Sequence, residues 1–196
     1  MEIDPSTLDR KAAYHLMISA IAPRPIALVT SMSAAGVVNM APFSYFNGVS
    51  STPPIVSIAI GSKKTGRKDT WRNIEETGEF VVNVVTPELM DGVITGAKEH
   101  PPEVSELELS KLTPMPSRKV KVPGVAESPV QMECERYKIV DIEGGGALIL
   151  GRVVHWRIRD GLVKDGRVDP SLVTFVGRLG GELYCRVNDI FKPGRE

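Results

Sequence analysis

The sequence predicts a mainly β protein, a small barrel with a few short helices at its periphery. Short runs rich in Val and Ile recur between Ile26 and Val187, and turns built on Gly, Asn and Asp separate them. No regular alternation of strand and helix patterns and no internal repeat is present. With 196 residues and 42% hydrophobic content, the chain is long enough to fill one core, so a single domain over 1–196 is expected.

Leu8, Ala12, Ala13, Leu16 and Met17 fall near helical spacing, which predicts a short amphipathic opening helix ended by Pro23 and Pro25. Ile26 to Thr30 reads as a strand, SerAlaAlaGly at 33–36 as a turn, and Val37 to Asn39 as the returning hairpin strand. Ala41 to Pro54, dense in Ser, Asn, Gly and Pro, reads as a long functional loop. Ile55 to Ile60 and Phe80 to Val85 are strands. Between them Asp69 or Thr70 is expected to cap a helix that turns Trp71 and Ile74 inward and stops at Gly78. Thr86, Pro87 and Glu88 open a further helix with Leu89, Met90, Val93 and Ile94 on its apolar face.

From Lys98 to Pro129 the chain becomes an irregular, Pro-rich excursion, with a capping-box pattern at Ser105 and Glu108. Leu107, Leu112, Val120, Val122 and Val125 give it apolar anchors, so a lid, an interface or a wrapping arm is expected rather than a free linker. Strands then resume at Val130 to Cys134, Tyr137 to Ile142, Ala147 to Ile158 and Tyr184 to Val187, with turns at 160–161 and 165–167.

Charge and composition exclude several functional classes. Lys+Arg 24 balances Asp+Glu 24, which lacks the basic excess of a nucleic-acid binder. No apolar run approaches the roughly 20 residues of a membrane helix, and the opening MEIDPSTLDR does not read as a leader, so a cytoplasmic protein with no membrane partner is expected. Cys134 and Cys185 lie far apart and read as two buried thiols in a reducing compartment. His15, His100 and His155 share no metal-ligand spacing, and no metal site is expected. Gly144, Gly145 and Gly146 precede a strand rather than a helix, which makes them a hairpin turn and not a nucleotide loop.

The stretch from Pro23 to Asn83 carries the candidate site. Lys63, Lys64, Arg67, Lys68 and Arg72 surround the one acid Asp69 next to a predicted helix N-terminus, an arrangement suited to phosphate as well as to a solvated turn. Thr30, Ser31, Asn39, Ser44 and Asn47 form a second polar set able to edge a flat heterocycle, or to serve only as turn chemistry. No nucleophile or acid–base constellation accompanies them, so no catalytic side chain is nominated.

RPIALVTS at 24–31, GVVNMAPFS at 36–44, PPIV at 53–56, KDTWRNI at 68–74 and GEFVVN at 78–83 are similar, in order and spacing, to the flavin reductase-like, FMN-binding split-barrel family, in particular its flavoredoxin-like group. ESPVQMEC at 127–134, GRVVHW at 151–156 and GRLGGELYCR at 177–186 extend the resemblance over nearly the whole chain. It implies a six-stranded antiparallel Greek-key split barrel that forms a homodimer and binds FMN noncovalently near the interface. Thr30, Ser31 and Met32 would meet the flavin ring, with Asn39, Ala41, Pro42, Ser44 and Asn47 lining the same pocket. Gly61, Lys68, Asp69 and Thr70 would hold the phosphate end; Arg24 is a further nominee, and Arg178 and Tyr184 stand behind it.

The expected function is that of an FMN-dependent oxidoreductase passing reducing equivalents from NAD(P)H through the flavin to a second flavin or an acceptor protein. In such an enzyme the cofactor carries the redox chemistry and the protein supplies binding and orientation. The alternative is an FMN electron-transfer protein without NAD(P)H activity of its own, and a third reading is a β-barrel interaction module.

Overall fold

Seven antiparallel strands collect the apolar runs of the chain in a computed structural model that describes residues 1–63 and 66–194. They are β1 (Ala27–Met32), β2 (Val38–Phe43), β3 (Phe46–Ser51), β4 (Pro54–Gly61), β5 (Glu79–Val84), β6 (Val130–Ile142) and β7 (Gly146–Ile158), in the sheet order β2-β1-β5-β6-β7-β4-β3. The two ends of that order, β2 and β3, are consecutive in the chain. Ser44 and Tyr45 join them, and the Ala59 N–H donates to the Tyr45 carbonyl at 2.8 Å, which extends the β3–β4 ladder by one residue. The fold is thus the mainly β, barrel-like one expected, with seven strands in its main sheet where the resemblance implies six.

The seventh strand comes from the segment expected to be a loop. Residues 41–54 contribute to β2, all of β3 and the start of β4. Their Ser, Asn and Pro content mimics turn chemistry, yet Pro42 is tolerated in β2 because that strand pairs only with β1. Val130 to Ile142 is one strand rather than two, since Glu135 and Arg136 keep their pairing with Arg152 and Gly151 across a register shift.

Period-2 alternation along β1 divides the core in two. Ala27 and Val29 point into the barrel with Ile58, Phe80, Val82 and Ile149. Leu28 points outward with Met40 onto an outer cluster completed by Leu89, Val93, Leu107 and Val125. Helix α2 (Asp69–Thr77) turns Trp71 and Ile74 into the inner cluster and ends at Gly78, whose φ of 76° is the left-handed conformation glycine permits. Its N-cap is Lys68 rather than Asp69 or Thr70, and no side chain caps it. A 3-10 turn at Pro87–Leu89 leads into α3 (Met90–Gly96), which buries Val93 and leaves Ile94 exposed.

The opening helix, α1 (Arg10–Ala20), buries only Ile18. Of the face expected to pack, Leu8, Ala12 and Ala13 are half-buried and Leu16 and Met17 exposed, as is the neighbouring Tyr14. The excursion at 98–129 is a wrapping arm. It contains α4 (Glu106–Leu109), capped by the Ser105 hydroxyl, and buries Leu107, Val120, Val122 and Val125. Buried polar groups fasten its backbone: the Arg118 and Lys119 N–H groups donate to the Glu133 carboxylate, and the Val125 N–H to Asn83 Oδ1. A small sheet pairs Arg24–Pro25 with β8 (Phe175–Arg178) and β8 with β9 (Tyr184–Val187). Cys134 is buried, while Cys185 is only half-buried.

Candidate functional site

The free edge of β2, the start of α2 and the end of α3 enclose a cleft of two compartments. Ala41, Lys68, Gly96 and Ala97 line both and form the wall between them. Gly96 is required there: a Cβ on it would stand 2.5 Å from the Met40 carbonyl oxygen, so only glycine lets α3 lie this close to β2.

The larger compartment, about 260 Å³, is walled by Ile18, Ile26, Pro42, Phe43 and Tyr184, with Ser44 and Arg24 as polar groups. Arg24 is buried although no carboxylate pairs with it among the described residues. Its guanidinium donates to the carbonyls of Ile18, Ile21 and Leu179 and, at 3.3 Å, to Ser44 Oγ. The side chain therefore ties the end of α1 and the β8–β9 turn to the rim of the cleft. Arg178 lies over the Tyr184 ring at 4.3 Å from its centroid on the same wall.

The smaller compartment, about 120 Å³, contains Asn39, Lys68, Asp69, Thr70 and Glu106. Thr70 Oγ1 donates to Asn39 Oδ1 at 2.7 Å and Ser31 Oγ to the same oxygen at 3.3 Å, while Asn39 Nδ2 donates to Glu106 Oε2 at 2.9 Å. Asp69 accepts from Lys63 at 3.0 Å and from Arg72 at 2.6 Å. Arg67 pairs with Glu75 and lies over Trp71. The basic run is thus largely neutralised within itself, and Lys68 is the member that borders both compartments without a carboxylate partner among the described residues. Lys64 lies outside the described residues. The first-turn amides of α2 have no side-chain cap beside Lys68, and Asp69 is the acidic residue of that turn.

Of the sequence nominees, Arg24, Asn39, Ala41, Pro42, Ser44, Lys68, Asp69 and Thr70 converge on this cleft, and Arg178 and Tyr184 join them. Thr30 and Ser31 line neither compartment. Both are fully buried, Thr30 donating to the Pro123 carbonyl and Ser31 supporting Asn39 from behind. Met32 packs on the cluster of Val81, Val120 and Val122, Asn47 is exposed on β3, and Gly61 is exposed at the end of β4 opposite Gly146. His155 borders a separate surface groove with Trp156 and Arg157. Gly96, Ala97 and Glu106 also line the cleft, and no motif in the sequence marks them. The capping box places α4 but carries no sign that its first residue turns inward.

Among the described residues no group of three His, Cys, Asp or Glu side chains could hold a metal, and no helix is long and apolar enough to cross a membrane.

The cleft beside the free edge of β2 thus sets a compartment walled by Ile18, Ile26, Pro42, Phe43 and Tyr184, with Arg24, Ser44 and Arg178 as its polar groups, next to the start of α2. The model of the flavin reductase-like domain matches residues 19–179, and the chain belongs to that family. It is 42% identical to the uncharacterized protein BH2278 of Halalkalibacterium halodurans over all of this chain and 96% of that one. Component B of nitrilotriacetate monooxygenase from Bacillus cereus superposes with a TM-score of 0.95 at 37% identity, covering 98% of each chain. The 2-nitrobenzoate 2-nitroreductase NbaA of Pseudomonas fluorescens superposes with a TM-score of 0.91 at 33% identity, covering 100% of this chain and 96% of that one.

Proposed function

We propose that the cleft binds FMN and that the protein is a cytoplasmic oxidoreductase carrying reducing equivalents from NAD(P)H through that flavin to a second flavin or an acceptor protein. The observation that carries this reading is the adjacency of the two compartments: the one walled by Pro42, Phe43 and Tyr184 shares Ala41, Lys68, Gly96 and Ala97 with the one at the uncapped start of α2. FMN has the matching parts, a flat ring system and a phosphate monoester. The first-turn amides of α2 and the Lys68 ammonium, which no carboxylate pairs with among the described residues, favour a phosphate, and Ile18, Ile26, Pro42, Phe43 and Tyr184 offer walls to the ring.

Pro42, Phe43 and Tyr184 would flank the ring, with Ser44 and Ala41 at its edge. Lys68 and the Asp69 and Thr70 amides would hold the phosphate, and Asp69 would keep Lys63 and Arg72 in place around it. Bound there, FMN would supply the two-electron chemistry, and this chain would bind, orient and exclude water. The family membership and the likeness to component B of a monooxygenase support the reading.

We also propose a homodimer, supported by the exposed Tyr14, Leu16, Met17 and Ile21 of α1 and its C-cap. Light scattering would give twice the chain mass; a monomeric mass would overturn it.

An anaerobic titration tests the function. The protein reconstituted with FMN should bleach on adding NADH or NADPH and reoxidise when free flavin is supplied. A protein that cannot take up FMN would exclude the reading. One that binds FMN but is not bleached by either nucleotide would be a carrier reduced by another protein.

A further inference from the structure

Glu106 is a buried carboxylate that the proposed function leaves without a role. It is 5% exposed and pairs with no cation among the described residues. Burial of a lone carboxylate is unfavourable, and an apolar residue beside Leu107 would serve the outer cluster better. What the carboxylate does is accept two hydrogen bonds at one oxygen: Asn39 Nδ2 donates to Oε2 at 2.9 Å and the Met40 N–H at 3.2 Å.

These contacts decide which way the Asn39 amide faces. With Nδ2 held by Glu106, the carbonyl Oδ1 is turned toward α2 and β1, where it accepts from Thr70 Oγ1 at 2.7 Å and Ser31 Oγ at 3.3 Å. Ser31 Oγ in turn accepts from Asn73 Nδ2 at 3.2 Å. A turned-over amide would set oxygen against the Glu106 carboxylate and NH2 against the Thr70 donor. One carboxylate in the arm thus orders a chain of side chains that reaches the first turn of α2 next to Lys68.

We propose that Glu106 is a positioning residue of the cleft, which locks the Asn39 amide and thereby fixes the start of α2 in the geometry that receives a phosphate monoester. The ligand's identity rests on the proposed FMN reading; the locking of Asn39 does not. The wrapping arm is by this account part of the binding site.

The test compares Glu106→Gln and Glu106→Ala in the full chain. Because both donors use one oxygen, the single carbonyl oxygen of Gln can keep both bonds while the charge is lost. Alanine keeps neither. In the ligand-free protein, NMR should find the Asn39 side-chain NH2 protected from solvent exchange in wild type and in E106Q, and exchanging at least about tenfold faster in E106A. Titration with FMN and with riboflavin should find E106Q within about threefold of wild type for both. E106A should lose about tenfold in FMN affinity while riboflavin changes by less than about threefold.

An unprotected Asn39 amide in wild type would overturn the proposal, as would an unchanged FMN-to-riboflavin preference in E106A. Weaker affinity in E106Q, equal to that in E106A, would assign the effect to charge and overturn it too. Should E106A not fold, Glu106→Met fills the same space with the same expected readings. Failure of wild type to bind either flavin would defeat the FMN reading alone, because the amide exchange is read without ligand.

Discussion

Thr70 Oγ1 donates to Asn39 Oδ1 at 2.7 Å and so joins the first turn of α2 to β2 across the smaller compartment. Thr70 is 1% exposed, so its hydroxyl has no water to fall back on. Thr70→Val keeps the shape but removes the donor, and should lower stability by about 1–3 kcal/mol in urea denaturation. An unbonded hydroxyl at this depth would give the opposite sign, because valine would then be neutral or stabilising.

Lys68 has the opposite character: it is exposed, lies 5.9 Å from the Phe43 ring centroid, and forms no ion pair among the described residues. Lys68→Ala should therefore leave stability within about 0.5 kcal/mol. FMN affinity should fall about ten- to hundredfold, the range of a charge-assisted hydrogen bond, and riboflavin affinity should hardly change. Fluorescence titration of the two flavins checks this, and added salt should narrow the difference.

Gly96→Ala should harm both fold and cleft. The new Cβ would meet Met40 O at 2.5 Å and the Met40 carbonyl carbon at 3.3 Å, and backbone cannot move aside as a flexible side chain can. The gain in helix propensity is at most about 1 kcal/mol and overpacking costs about 1–3, so the net change should be destabilising. Urea denaturation gives the sign, and FMN titration should find weaker binding because α3 is pushed off β2.

Burial pushes the Cys134 thiol far above its ordinary value, and the adjacent Glu133 carboxylate adds to the shift. Iodoacetamide should label the half-buried Cys185 in the native protein and Cys134 only after unfolding. Below the ordinary thiol value of about 8.5, Cys134 is neutral in both states and its contribution is flat. Above it the unfolded chain ionises while the native thiol does not, so stability should fall with pH by up to about 1.4 kcal/mol per unit. Urea midpoints between pH 8 and 10 measure the slope, and Cys134→Ala should remove this part of it.

Much of the barrel was legible because strands and hairpins leave short-range marks. Gly36 turning β1 into β2, Gly78 ending α2 and Asp165–Gly166 turning back a two-residue ladder each have positive φ values that their sequence context announces. The segment at 41–54 misled for the same reason: its composition is that of a turn, and only the free edge of β2 makes Pro42 acceptable in a strand. On α1, helical spacing identified an apolar face, but spacing cannot say whether a partner surface lies opposite, and only Ile18 found one within the chain.

By itself the sequence determined the family, the class of fold and the stretch that carries about half of the cleft lining, because ordered motifs and apolar periodicity are properties of neighbouring residues. The tertiary structure decided which polar groups remain available to a ligand. Asp69 is taken up by Lys63 and Arg72, Ser31 by Asn39, and Thr30 by the carbonyl of Pro123. Asn39 finds Thr70 at a separation of 31 residues and Glu106 at 67. Hydrogen bonds over such separations depend on how helices and arm pack on the barrel, and no local pattern of residues encodes that packing.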